Sequence, residues 1–336
     1  HTVARNVYTE FNKNIESNRF ELKNIEIIKE ENVDLIYIYH LNPIGFILIS
    51  ADNNSYPVIG YSFDNNFKTQ NMPINMNWMF ENAKKNILYN IETSEIRDNS
   101  ILLEWDKYLG TTSQSRERNV SPLIDAEFDQ SGSWNNILTS ETGFNGPVGC
   151  VAVSMAQIMH YWKYPYQGQG YNGYDEDDLG FLEVDFSQAF YDFDNMPSTY
   201  ATNPSRLLLY HSGVGVNMNY ESGGSGASCE GVYPSAEYAM KNFFKYSESV
   251  QSIDLDNYDL NEWRDILKNE LDHNKPILYS GFSDSYGNGG HAWNIDGYQS
   301  KNMHCNWGWG GYNNGYFSLP YMGGFDTWQN ALVDLI

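Results

Sequence analysis

Gly146-Pro-Val-Gly-Cys-Val-Ala-Val-Ser-Met-Ala-Gln-Ile-Met-His-Tyr-Trp162 decides how the rest of this 336-residue chain is read. Glycine and proline give way here to an apolar run at helical spacing, so a helix is predicted over Cys150–Trp162 with Cys150 opening it. Unpaired amides and the helix dipole at such a start favour a thiolate over a thiol. The same amides suit an oxyanion forming on a substrate carbonyl. A buried structural cysteine remains the alternative, since free cysteines are usually small core residues.

A thiolate nucleophile needs an imidazole to pair with it and to protonate a leaving amine. His160 lies on the same helix, roughly 15 Å away at about 1.5 Å per residue, too far to serve. His40, His211 and His273 read as surface residues in helix or loop contexts. His304 adjoins Cys305, but neighbours along a strand face opposite ways. His291 follows Gly289-Gly290 and opens an apolar strand, 141 residues after Cys150. That separation falls within the roughly 130–150 residues seen between nucleophile and histidine in papain-like enzymes. The next run, Met303-His-Cys-Asn-Trp-Gly-Trp-Gly-Gly311, offers the Asn306 amide to orient the imidazole and Trp307 and Trp309 as aromatic walls. The tryptophans also read simply as core.

Working outward, the chain divides near residue 118. Residues 1–118 read as a small α+β unit, with a helix-prone opening over Val3–Ser17. Strands follow at Val33–Tyr39, Gly45–Ile49 and Val58–Phe63, then an amphipathic helix at Met76–Ile91. The polar stretch from Gly110 to Arg118 lacks periodicity and reads as an exposed, cleavable linker. In residues 119–336 further helices are expected near Pro204–Ser212, Pro234–Tyr246 and Leu260–Asp272, the last capped by Asp259. Strands are expected at Pro276–Gly281, His291–Tyr298, Asn302–Trp307 and Gly315–Leu319. Ser222–Ser228 and Gly287–Gly290 read as glycine-rich loops. The second unit is therefore a cysteine-bearing helical half followed by a histidine-bearing sheet half.

The formal net charge is −23, from 20 basic and 43 acidic residues. Residues 1–118 carry 12 basic and 16 acidic residues, and 119–336 carry 8 and 27, so the negative charge belongs mainly to the second unit. Such a surface repels phosphate backbones and anionic membranes, which argues against nucleic acid or a membrane as partner. No apolar run approaches the roughly 20 residues that span a bilayer, so a soluble chain is expected. Three cysteines make no disulfide framework, and none has zinc-site spacing, so neither metal nor organic cofactor is expected. Cys229 and Cys305 open no helix and read as structural. Tyr174-Asp-Glu-Asp-Asp178 lacks the spaced ligands of a calcium loop and reads as solvated. The chain opens on His1 with no signal peptide in view, so a leader is expected to have been removed.

The segment from Asn145 to Pro165 resembles the nucleophile segment of the streptopain family, secreted bacterial peptidases with a papain-like fold. Gly289-Gly-His-Ala-Trp-Asn-Ile-Asp-Gly297 resembles that family's histidine segment, and Asn306-Trp-Gly-Trp-Gly-Gly311 its tryptophan segment. Gly45-Phe-Ile-Leu-Ile-Ser-Ala-Asp52 and Pro57-Val-Ile-Gly-Tyr61 resemble its propeptide. The resemblance implies an α+β, papain-like catalytic domain (119–336) behind a small α+β inhibitory propeptide (1–118). It implies Cys150 as nucleophile, His291 as general base and acid, and Gln130 as partner of the Cys150 amide in the oxyanion hole. A tryptophan orients the histidine in this family, which points to Trp307 and leaves Asn306 as the papain-like alternative. Gly290 and Ser225 resemble positions that hold the substrate backbone, with Trp309 beside them, and Asn75 resembles the inhibitory propeptide asparagine. Implied partners are protein or peptide substrates, favoured with a hydrophobic residue two positions before the cut, and the chain's own propeptide. Activation implies cleavage within Thr112–Val120, where Arg116 and Arg118 suit a trypsin-like activator or the enzyme cuts itself. The expected function is that of a secreted cysteine endopeptidase precursor. A binding or inhibitory protein that keeps the fold, and an acyl transferase using the same residues, remain the alternatives.

Overall fold

Alternation along His291–Gln299 builds the centre of the molecule. This strand is buried along its whole length, which requires cover on both faces. The computed structural model describes residues 1–12, 19–70, 72–93, 99–110, 118–283 and 289–336. The N-terminal unit comprises α1 (Thr2–Phe11), β1 (Leu22–Glu30), β2 (Val33–Leu41), β3 (Phe46–Ser50), β4 (Val58–Ser62), α2 (Ile74–Thr93) and α3 (Asn99–Leu109). The remainder begins with β5 (Asn119–Val120), α4 (Asn136–Thr142), α5 (Cys150–Trp162), β6 (Tyr171–Glu176) and β7 (Gly180–Asp185). It continues through α6 (Asn203–Gly215), α7 (Ala236–Asn242), β8 (Gln251–Asp254) and α8 (Leu260–Asp272). Five segments complete it: β9 (Ile277–Phe282), β10 (His291–Gln299), β11 (Asn302–Asn306), β12 (Gly315–Ser318) and β13 (Thr327–Val333).

The two units share one antiparallel sheet, ordered β1-β2-β3-β4-β12-β11-β10-β9-β13-β8. The join is short: Tyr61 pairs with Tyr316 and Gly60 with Phe317. Gly60 is required there, since a Cβ would stand 2.5 Å from the Phe317 ring. On one face of the sheet, α5, α6 and α7 bury a core with Ala292 and Leu278. On the other, α8 and α2 close over Trp293, Ile295, Trp307, Phe317 and Phe325. α2 contributes Met76, Met79, Phe80 and Ile87, the apolar spacing of one helix face.

Several expected elements occur with shifted ends. α1 stops at Phe11, and the remainder of the expected helix to Ser17 lies mostly outside the described residues. β1, β8 and β13 are additional, as are α3, α4, β5 and the β6–β7 hairpin, which takes up Tyr174–Glu176 of the stretch read as solvated and buries Glu176. β1 and β8 are edge strands with little apolar alternation, and β13 starts at a bulge opposite β9. His211 is not on the surface. Its Nδ1 meets the Tyr191 hydroxyl at 3.1 Å, and burial lowers its pKa to about 4. Asp259 caps α8 as expected, accepting from Asn261 N and Glu262 N while Glu262 reaches back to its own amide. Residues 112–117 of the expected cleavage window, including Arg116, and the Gly287 end of the second glycine loop fall outside the described residues, while Arg118 pairs with Asp272 at 2.9 Å and Asn119–Val120 form β5.

Candidate active site

Gly149 sits at φ +98°, a left-handed conformation that glycine adopts without strain, and it turns the chain into α5. A Cβ at that position would also meet the Met218 side chain at 2.5 Å. α5 is then pinned to the central strands by a buried amide network. Asn294 Nδ2 donates to Ser154 O (3.2 Å) and Gln157 Oε1 (2.9 Å), and Gln157 Nε2 donates to Ala126 O (2.8 Å) and Asn306 Oδ1 (3.1 Å). Ser154 is one turn along from Cys150, and Asn294 is three residues along from His291. The network therefore fixes the thiol-bearing helix against the histidine-bearing strand.

The two reactive groups do not engage. Alternation along β10 turns Ala292 and Asn294 towards α5 and puts His291, Trp293 and Ile295 on the opposite face. Cys150 accordingly accepts from the Ala292 amide as well as from the amides at its own helix start. Burial raises its pKa, and these three donors lower it. The His291 ring lies stacked on Trp309, with centroids 4.8 Å apart at 18°, and is flanked by Phe325, Trp293 and Trp307. Its Nε2 meets the Trp307 carbonyl at 3.0 Å, and its Nδ1 is buried without a partner. Burial drives the imidazole pKa down to about 3 against a small upward pull from that carbonyl. No hydrogen bond joins Cys150 and His291. Thiol and imidazole are both neutral in this form.

Helix α2 holds this arrangement. Asn75, 6% exposed, donates from Nδ2 to the carbonyl of Gly290 (3.0 Å), the residue directly before His291. Asn75 also stands between two cavities. One, of about 1100 Å³, is lined by Cys150, His291, Ser225, Gly290, Phe282 and Trp328. The other, of about 770 Å³, is lined by Gln130, Pro147, Trp309 and Tyr312. The N-terminal unit thus plugs the middle of a groove and leaves both ends open.

Gln130 is buried beside the Cys150 loop, and its carbonyl accepts from Val148 N at 2.8 Å. Ser225 lines the Cys150 cavity while its hydroxyl donates to Pro147 O (2.6 Å), which ties the glycine loop to the loop before Cys150. Trp307 touches the histidine through its carbonyl and its ring face, and its Nε1 donates to Asn313 O. Trp309, expected beside the substrate, is the closest ring under the imidazole. Asn306, the papain-like alternative, has other partners in this form. Its amide is committed to Ala126 O (2.9 Å) and Gln157 on the α5 face and does not reach His291, as strand alternation requires. The sequence reading missed Asn82, Asn86 and Asp326, which tie α2 to the loop before β13. The polar i, i+4 pair on an otherwise apolar helix face was their only signal. Among the described residues no cluster of three His, Cys, Asp or Glu side chains could hold a metal, and the three cysteines are buried and unpaired.

Comparison with known proteins places the chain among peptidases. The peptidase C10 family matches residues 128–317, and a Spi protease inhibitor family matches residues 2–87. Streptopain of Streptococcus pyogenes is 28% identical, over 93% of this chain and 85% of its own length. The thiol protease/hemagglutinin PrtT of Porphyromonas gingivalis is 27% identical over 87% of this chain, which spans 36% of that larger protein. A prointerpain A fragment of Prevotella intermedia shares the fold at a TM-score of 0.72, with 23% identity over 92% of this chain and 98% of that one. Active interpain A from the same organism superposes at 0.56, with 30% identity over 64% of this chain and 94% of its own. With more than half of its length matched, the chain belongs to the peptidase C10 family: it is a cysteine peptidase in precursor form, with an inhibitor-type domain at its N-terminus.

Proposed function

We propose that Cys150 and His291 are the catalytic pair, that Gln130 and the Cys150 amide form the oxyanion hole, and that residues 1–118 are the inhibitory segment. The carrying observation is the placement of Cys150 at a helix start in one cavity with a histidine whose Nδ1 has no partner. Release of α2 frees the Gly290 carbonyl, so that the start of β10 turns His291 across to the thiol. The exposed imidazole takes the thiol proton, and the sulfur attacks the scissile carbonyl. Charge on the carbonyl oxygen is met by the Cys150 N–H and the Gln130 amide. His291 returns its proton to the departing amine as the C–N bond breaks, leaving a thioester. Water then attacks that carbonyl, His291 takes the water proton, and the sulfur leaves with it. Trp307 and Trp309 supply the surface on which the imidazole is held. Activation by cutting within 112–120 and action outside the cell complete the reading. Support for the location is the family alone.

Casein hydrolysis by linker-cleaved wild type, Cys150→Ala and His291→Ala tests the assignment. Both variants should lose at least about a thousandfold in rate, as removal of a catalytic group does. Full activity in Cys150→Ala would overturn it.

A further inference from the structure

Asp326 is a carboxylate largely buried at the seam between α2 and the catalytic unit, with no Lys, Arg or His paired to it among the described residues. Asn86 Nδ2 donates to one oxygen at 2.6 Å, and Asn82 Nδ2 donates to the other at 3.1 Å while also meeting Gly324 O. Neutral amides satisfy the oxygens without neutralising the charge, which makes this an unfavourable place for a carboxylate in the precursor. Apart from a long contact with the Thr327 hydroxyl at 3.4 Å, its side-chain partners sit on α2, the element that leaves.

The surroundings of Asp326 say what it meets afterwards. Phe325 before it packs on His291 with centroids 5.3 Å apart. Thr327 after it pairs with Phe282. Trp328 follows at φ +46°, strained for a non-glycine residue, half exposed, with its ring against Phe282 at 5.6 Å. Phe282, Trp328 and Asn82 all line the Cys150 cavity, and Asn82 is at the same time a donor to Asp326, so one α2 side chain touches both. Glu221 and Glu230 line it too, and residues 119–336 contribute no Lys or Arg to the described lining. Among the described lining residues the one Lys or Arg is Lys85 of α2 itself.

We propose that Asp326 is a substrate-recognition residue of the activated enzyme, masked in the precursor by Asn82 and Asn86. With Glu230 and the Phe282–Trp328 wall it selects a lysine or arginine side chain on the Cys150 side of the bound peptide. Aromatic faces take the aliphatic stem and attract the cation, and the carboxylates take the charged head. This rests on the Cys150 cavity being the active site, and it adds a charged preference to the hydrophobic one that the family resemblance implies.

The test gives activated enzyme peptide pairs that differ only by lysine or norleucine at each position before the scissile bond. At one position lysine should be favoured about tenfold in kcat/KM, a ratio that one charged contact supplies. That ratio should fall towards one in Asp326→Asn and shrink in wild type as salt is raised. Absence of any lysine preference, or a preference that Asp326→Asn retains, overturns the proposal. If Asp326→Asn does not fold or activate, butylguanidinium decides on wild type: salt-sensitive competitive inhibition supports the site, and none overturns it. Failure of the active-site reading looks different, since then neither peptide is cut and a thiol-directed epoxide does not label Cys150.

Discussion

In the proposed mechanism latency turns on His291, and its surroundings fix the pH response. Closed, it is buried with a pKa of about 3; released into water it returns towards the ordinary value of about 6.5. The closed form therefore binds fewer protons than the open one, and its advantage from this group is complete above pH 6.5. It is lost as pH falls from there, by about 1.4 kcal/mol per unit until about pH 3. Asp326 works the other way: burial raises its pKa in the closed form, so it opposes release as pH approaches the ordinary carboxylate range. Dissociation of the linker-cut complex, followed by native mass, should quicken from pH 7 to pH 5; a flat profile would remove His291 from this role. Asn75→Ala deletes one hydrogen bond to Gly290 and should raise epoxide labelling of the uncut precursor about fivefold, the equivalent of about 1 kcal/mol. At this scale the sequence displayed Cys150 and His291 through the residues around them. It could not display that β10 turns the histidine away, because a side chain's face depends on register with β9 and β11.

At the scale of elements, α2 and the β4–β12 join do the holding. Two polar residues one turn apart, Asn82 and Asn86, fasten the helix to Asp326, and Gly60 lets β4 lie against the Phe317 ring. Gly60→Val drives side-chain atoms into that buried ring. It should lower the melting temperature of the precursor while leaving the separated catalytic unit unchanged, as scanning calorimetry of both would report. The apolar periodicity of Met76, Met79, Phe80 and Ile87 made α2 legible as a helix, and Cys150–Trp162 was equally plain. β1, β8 and β13 were not, because edge and bulged strands carry mixed polarity and owe their pairing to distant partners.

Over the whole molecule, one sheet and a shared apolar layer join the inhibitory and catalytic units. Phe46, Phe67 and Met79 sit in the same cluster as Trp307, Phe317 and Phe325. Such continuity predicts a single cooperative unfolding transition for the uncut precursor, and two resolved transitions would show that the units fold independently. An inhibitor-type segment ahead of a peptidase segment was visible in composition and in the propeptide-like motifs. The pairing of Tyr61 with Tyr316 was not, since nothing local in either strand names the other. The most direct measurement is intact mass after reaction with a thiol-directed epoxide, before and after cutting the linker and removing the N-terminal unit, in wild type and Cys150→Ala. A single adduct that maps to Cys150, forms rapidly only after removal and is absent from Cys150→Ala is the predicted result. Equal labelling before and after removal, or an adduct on Cys229 or Cys305 instead, would contradict it.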